Sequence, residues 1–337
     1  MFELPHRSRV AVGRLFAARV VRPLALSRPA LAVGGATMGG SGKTPLAIAC
    51  AAELASAGLR VAFIGHAYRA APGRPRFVRP DDDLDEVGDE ALLAARALHG
   101  RVEVAVAPGR RGRALAVAFA APAADVVVLD GVAQTRPARA SLALLAVDAE
   151  DPWGTSTPVH WLRRARQGGW GQAPIATLVS ACDAIVPVLD EGRTLARFAG
   201  LGRPVWPATV SSRGAWVGQA LLTWEALRFR RVGLITAIAR PERVIRSLGR
   251  RGVVPRVVVS ARDHGPLGPA LARRASTSTT ARDVDIWVAT AKCALHAARV
   301  LPPHAPLACL DYTVTLDPEL RTRLRTLGTA ALGSLAP

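Results

Sequence analysis

Lysine is almost missing from this chain of 337 residues. Lys43 and Lys292 are its only two among 44 basic side chains, the others being arginine. A compact ammonium and a planar guanidinium are not interchangeable in a tight pocket, so these two positions stand out. Aromatic residues make up only 5%, too few for the stacking platforms of a nucleic-acid-associated NTPase, and no nucleic-acid partner is expected. The four cysteines, Cys50, Cys182, Cys293 and Cys309, are widely spaced and form no CxxC pair. That argues against a disulfide scaffold or a zinc site and fits a reducing cytosol. Long apolar runs are lacking too. A spanning helix needs roughly 18 such residues, and the best segment, 114–129, is broken by Pro122 and Asp125. No charged-then-apolar leader with a small-residue cleavage site can be read.

Acidic residues are also few, 26 against 44 basic ones, which leaves a net charge of +18. Such an excess points to anionic partners: nucleic acid, acidic lipid or a phosphorylated substrate. The dominance of arginine, with abundant Ala, Gly and Pro, follows equally from the base composition of coding DNA, so both readings of the charge stand. With half the residues apolar and 21% charged, the chain can bury large cores, and its length suits two α/β domains or one large one.

Residues 6–23 read as a short amphipathic helix, with Val12, Phe16 and Val20 on one face, Arg7, Arg14 and Arg22 away from it, and Pro23 as its stop. It suits an anionic membrane surface or packing on its own domain. Apolar strands are predicted at 30–33, 60–65, 102–107, 123–130 and 141–148, with helices at 44–57 and 90–98 and an acidic loop at 81–86. The strand runs lack polar alternation, as expected when helices cover both faces of a parallel, doubly wound sheet. Pro204, Pro207, Gly214 and Gly218 break up 204–224, which reads as a linker. A second, smaller α/β unit is predicted over 225–337, with strands at 231–237, 257–260, 286–290 and 306–310 and helices at 241–250 and 292–300. The expected organisation is thus a basic helix in 1–29, a P-loop NTPase-type domain over 30–203, the linker, and the smaller domain.

Between the first strand and the first helix stand Thr37, Met38, Gly39, Gly40, Ser41, Gly42, Lys43 and Thr44. Small residues let the backbone wrap a polyphosphate with its amide N–H groups inward, and the helix N-terminus adds positive potential. Lys43 is expected on the β- and γ-phosphates and the Thr44 hydroxyl on Mg²⁺. The strict pattern has glycine where Thr37 stands; the Gly39-Gly40 pair marks a variant of the loop. Asp130, closing a strand, is the candidate carboxylate for the metal and its waters.

These residues resemble the tetraacyldisaccharide 4'-kinase family of lipid A biosynthesis over about residues 30–312. The loop from Val33-Gly34 through Thr44-Pro45 resembles the family's, and further motifs follow in its order: Val87-Gly88-Asp89-Glu90, Leu129-Asp130 with Gln134, Ala239-Arg240-Pro241-Glu242-Arg243, Asp263-His264, and Ala289-Thr290-Ala291-Lys292. The resemblance implies an ATP-dependent kinase acting on the 4'-hydroxyl of a tetraacyl disaccharide 1-phosphate. ATP and Mg²⁺ are its cofactors, Asp89 the base, His264 its orienting partner and Glu90 an aid at the metal. It also implies a monomer held at the cytoplasmic face of the inner membrane, whose anionic headgroups attract the basic charge. In that reading Asp89 and His264 lie in different domains, and a hinge near 203–224 closes over the substrates.

Departures from the family pattern are also legible. Gly131, Val132, Ala133, Gln134 and Thr135 stand where a second aspartate, then glycine, an aromatic, glutamine and histidine are usual. His66-Ala67-Tyr68 replaces arginine–glycine–tyrosine, residues 158–164 lose a glycine and a glutamate, and Cys293 replaces an aspartate after Lys292. A degenerate kinase that binds ATP as a regulator, without phosphorylating lipid, is the alternative.

Overall fold

The computed structural model describes residues 26–37, 39–109, 112–131, 140–153, 175–193, 195, 198, 200–238, 240–261, 267–268, 273–275, 283–302 and 305–333, the last five as backbone. The expected basic helix at 6–23 lies outside these residues. Two compact units are present, one made of residues 1–209 and 314–337 and the other of 210–313.

The larger unit carries β1 (Ala30–Gly35), β2 (Val61–Ile64), β3 (Arg76–Phe77), β4 (Glu103–Val106), β5 (Val126–Asp130), β6 (Leu142–Asp148) and β7 (Ala184–Asp190). Two further strands, β8 (Ala208–Ser211) and β15 (Thr313–Leu316), complete a sheet of order β15-β8-β7-β6-β1-β5-β2-β4-β3. From β7 to β4 every pairing is parallel; the two-residue β3 is antiparallel to β4 and forms one edge. All six residues of β1 and all five of β5 are buried. Such continuous apolar strands have no polar face because both sheet faces are covered.

Helix α1 (Lys43–Ser56) packs on β1 and β5. Its buried residues Leu46, Ala47, Cys50, Ala51 and Leu54 repeat at three and four positions, the spacing of a single helical face. Leu46 and Leu54 are fully buried and contribute about 2 kcal/mol each by removal from water. Pro45 falls in the first turn, where its missing N–H costs no intrahelical bond. On the other sheet face, Ala116, Val117 and Ala120 of α4 (Gly112–Ala120) pack with Ala32, Ile64 and Leu129. Between these in sequence lie α2 (Leu84–Val87) and α3 (Asp89–Ala97), and Leu178 of α5 (Ile175–Ala181), with Cys182 just beyond the helix, packs with Leu145 and Val147 of β6 and Ile185 of β7.

The smaller unit has the strand order β10-β9-β14-β13-β11-β12. Its elements are β9 (Gly214–Val217), β10 (Ala220–Thr223), α6 (Trp224–Arg228), β11 (Val232–Thr236), α7 (Pro241–Arg250), β12 (Val257–Ser260), β13 (Ile286–Ala289), α8 (Ala291–Ala297) and β14 (Leu307–Leu310). The β12, β11, β13 and β14 pairings are parallel, while β9 is antiparallel to both β14 and β10. Val244 and Leu248 of α7 and Leu227 of α6 cover one face, and Ala297 packs with Ile235 and Trp287 on another cluster.

The structure draws the boundaries differently from the sequence. The segment expected as a linker, 204–224, carries β8 and the β9–β10 hairpin; Gly218 lies in the tight turn, with Val217 opposite Ala220 across a two-residue loop, while Gly214 opens β9. The acidic loop at 81–86 includes the start of α2, where Asp83 accepts a hydrogen bond from the Asp85 N–H. The chain's end does not stay with the smaller unit. Helix α9 (Pro318–Gly333) packs on α1, and Arg321 and Arg325 each reach a Glu53 carboxylate oxygen at 3.1 Å.

Candidate active site

Strand order reverses at β1: the chain winds through β2 and β4 on one side and through β6 and β7 on the other. At such a switch point the connections diverge and leave a crevice beyond the carboxyl ends of the strands. The turn from Ala36 to Gly42 opens there. The Ala36 N–H donates to the Ala146 carbonyl, and the Thr37 hydroxyl donates to the Gly39 carbonyl at 2.7 Å. Gly42 sits at the N-cap of α1 with φ 79°, and a Cβ there would meet the Val188 side chain at 3.0 Å. Both the left-handed backbone and the close approach require glycine. No side chain among the described residues caps α1, which leaves its first-turn amides open at the crevice, where an anion would satisfy them. The Ser41 hydroxyl oxygen is buried with no hydrogen-bond partner among the described residues.

Charged groups converge beneath this turn. Lys43 Nζ donates to Glu90 Oε1 at 2.5 Å and stands 3.5 Å from Thr44 Oγ1. The Thr44 hydroxyl donates to Asp130 Oδ2 at 2.7 Å. Asp130 is 1% exposed, and its Oδ1 is buried without a partner among the described residues. Arg113, in the first turn of α4, donates from Nη2 to the Asp130 carbonyl at 2.9 Å, while its Nε is buried with no partner among the described residues. Each such orphan costs about 1–3 kcal/mol, and orphans cluster where a ligand completes the set.

The electrostatics follow from burial and pairing. Burial alone would lower the Lys43 pKa, but the Asp130 and Glu90 carboxylates outweigh it and hold the ammonium above its ordinary value. Burial pushes Asp130 up, opposed by Lys43 and reinforced by the Glu90 charge. Burial brings Arg113 down, against the pull of Asp130 and Glu90. A hard divalent cation prefers oxygen ligands. The Thr44 hydroxyl, the spare Asp130 oxygen and the neighbouring Glu90 carboxylate form a donor set of that kind.

Asp89 and Glu90 open α3 directly after Gly88, and both are buried. The loop after β2 lies against that turn: a Cβ on Gly88 would find the His66 carbonyl at 3.3 Å and Ala67 Cα at 3.4 Å. Tyr68, next in that loop, is 43% exposed, with the Arg69 guanidinium 5.6 Å from its ring centroid.

Residues 6–328 match the sequence pattern of one family, LpxK, tetraacyldisaccharide-1-P 4'-kinase. The chain belongs to this family. A tetraacyldisaccharide 4'-kinase from Anaeromyxobacter dehalogenans (strain 2CP-1) is 35% identical over 280 residues, 78% of this chain and 70% of the relative. One from Methylobacterium sp. (strain 4-46) is 32% identical over 337 residues, 96% and 94% of the two chains. A crystal structure of "apo" form LpxK from Aquifex aeolicus in complex with ATP shares the fold, with a TM-score of 0.65 at 18% identity over 95% of each chain. As a member of the tetraacyldisaccharide 4'-kinase family, the chain is a phosphotransferase of the P-loop α/β class.

Within this kinase the structure brings Lys43, Thr44, Glu90 and Asp130 into one cluster and places Thr37, Gly39, Gly40, Ser41 and Gly42 in the turn above it. Asp89 is the immediate neighbour of Glu90. Met38 and His264 lie outside the described residues, as do Asp263, Gln134 and residues 158–164. In the smaller unit, Arg240 precedes Pro241 at the start of α7, and the Thr290 hydroxyl caps α8 by accepting from the Cys293 N–H at 3.3 Å. Among the described residues no helix is long and apolar enough to cross a membrane.

Three contributors were not read from the sequence. Arg113 is one arginine among many and carries no motif. Val188 shapes the turn only through its contact with Gly42. Asp148 closes β6 as Asp130 closes β5, and the same strand-end pattern would have flagged it. Its Oδ1 accepts from the Glu150 N–H at 2.9 Å and the Asp151 N–H at 3.4 Å, which fixes the turn beyond the strand.

Proposed function

We propose that this kinase transfers the γ-phosphate of ATP to the 4'-hydroxyl of a tetraacyl disaccharide 1-phosphate, a step of lipid A biosynthesis. The observation that carries the reading is the cluster of Lys43, Thr44, Glu90 and Asp130 beneath an uncapped helix N-terminus. In this reading the amides of residues 37–44 surround the polyphosphate, and Lys43 leaves Glu90 to contact the β- and γ-phosphates. Thr44 and Asp130 would hold Mg²⁺, joined by the Glu90 carboxylate once Lys43 has turned away. When bound, the ion neutralises charge on the β- and γ-phosphate oxygens.

The acceptor is a sugar hydroxyl of low acidity, so a base must take its proton as the oxygen attacks phosphorus and ADP departs. Asp89 is assigned that role, with His264 as its orienting partner on the strength of the family motifs. The basic residues of 6–23 are assigned to the anionic headgroups of the cytoplasmic leaflet, and the enzyme works as a monomer peripheral to the inner membrane.

The test is incubation of purified protein with γ-labelled ATP, Mg²⁺ and a tetraacyl disaccharide 1-phosphate. Label passes to the lipid with wild type and not with Lys43→Ala or Asp89→Ala. A folded protein that binds ATP yet leaves the lipid unlabelled overturns the kinase assignment in favour of an ATP-binding regulator.

A further inference from the structure

The end of β5 carries a carboxylate and then nothing. Gly131, directly after Asp130, has φ 82°, and its N–H donates to the Val33 carbonyl at 2.8 Å. A Cβ on Gly131 would lie 2.7 Å from Arg113 Nη2 and 3.6 Å from Lys43 Cε. The guanidinium thus occupies the space that a side chain at position 131 would take, beside the phosphate-loop lysine. Among the described residues it is anchored there by one hydrogen bond, Nη2 to the Asp130 carbonyl. Arg113 forms no salt bridge among the described residues, and its Nε is closed off from solvent without an acceptor. A charged fork fixed by a backbone carbonyl, with a buried donor unspent, is built for a multidentate anion.

We propose that Arg113 is a second phosphate-binding cation of the nucleotide site, acting with Lys43 on the terminal phosphates and taking over part of the charge neutralisation that a metal ion otherwise supplies. The inference rests on the reading of the turn as a nucleotide site and adds a residue to it. Gly131 is the permissive partner: any side chain there meets the guanidinium. One consequence is specific to this geometry. With metal present, a bound divalent cation shares the neutralisation and loss of Arg113 is partly masked. Without metal, Lys43 and Arg113 are the cations on the tail, so removal of one weakens binding far more.

The experiment is equilibrium dialysis of labelled ATP with the full-length protein, in 5 mM Mg²⁺ and in EDTA. Wild type is expected to retain ATP binding in EDTA. Arg113→Ala is expected to lose about tenfold or more in EDTA and about threefold or less in Mg²⁺, from the strength of a charge-assisted contact. Arg113→Lys, which keeps the charge, recovers most of the metal-free binding. Gly131→Asp, which displaces the guanidinium, reproduces the metal-dependent loss of Arg113→Ala with residue 113 intact. Equal losses for Arg113→Ala in both conditions mean a purely structural arginine and overturn the proposal, as does no loss in either. If wild type binds no ATP in either condition, the nucleotide site itself fails, and this inference with it. Arg113 variants that behave as wild type while wild type binds and transfers phosphate overturn only the role of Arg113.

Discussion

Lys43 Nζ and Glu90 Oε1 are joined at 2.5 Å, with the lysine side chain 20% exposed and the glutamate 8%. The lysine proposed for the phosphates is therefore already occupied, and on that proposal nucleotide arrival would be an exchange of partners. An ion pair this far from water offsets its own desolvation only while both members are present. In the proposed function the triphosphate would replace Glu90 as the counter-charge of Lys43, and the carboxylate would be released beside Thr44 and Asp130.

Glu90→Gln tests the exchange. It removes the competitor for Lys43, so ATP binding in EDTA is expected to equal or exceed that of wild type, measured by equilibrium dialysis. Phosphoryl transfer with Mg²⁺ is expected to fall by about 10² or more, from loss of charge organisation at the metal. Weaker metal-free binding by Glu90→Gln would show that the pair does not restrain the lysine.

Asp89→Asn removes the proposed base while leaving the cluster around Lys43 in place. The expected result is a fall in kcat of about 10²–10⁴, the range for one general base, with the dissociation constant for ATP within about threefold of wild type. A variant that loses ATP binding as severely as transfer would place Asp89 in the nucleotide site instead.

The pH dependence of stability follows from Asp130. Burial raises its pKa in the folded protein above the unfolded value near 3.9. A raised pKa means that its stabilising contribution is complete below the unfolded value and lost as pH rises through the folded value. Above the folded value, without ligand, the charged carboxylate is thus a cost to the fold. Asp130→Asn is expected to raise the melting temperature in EDTA at pH 7.5 by about 2 °C or more, and the gain should shrink as pH falls toward 4. Transfer activity is lost. A melting temperature lowered equally at every pH would contradict this sign.

Gly42→Ala combines a left-handed backbone at φ 79° with a 3.0 Å approach to Val188. The conformational part alone costs about 1–2 kcal/mol. Thermal unfolding is expected to fall by several degrees, with ATP binding reduced in parallel. An unchanged melting temperature would mean that the turn tolerates a different shape.

Much of this architecture was legible in the residues because the physics was local. β1, β5 and β6 are unbroken apolar runs, and α7 begins at Pro241 and ends at Arg250 as its spacing predicts. The turn from Ala36 to Gly42 announced itself through glycine and a rare lysine between strand and helix. What stayed hidden depends on contacts distant in sequence. Helix α9 returns to α1 through Glu53, 268 residues before Arg321. The hairpin of β9 and β10 gains its meaning only from pairing with β14. Arg113 looks like any other arginine until the fold sets it over Gly131.

The most direct measurement is calorimetric titration of the wild-type protein and Lys43→Met with ATP and Mg²⁺. The account predicts one binding event per chain for wild type and its loss in the folded variant. Heat that is absent from wild type, or identical in the two proteins, would contradict the assignment of this turn to the triphosphate.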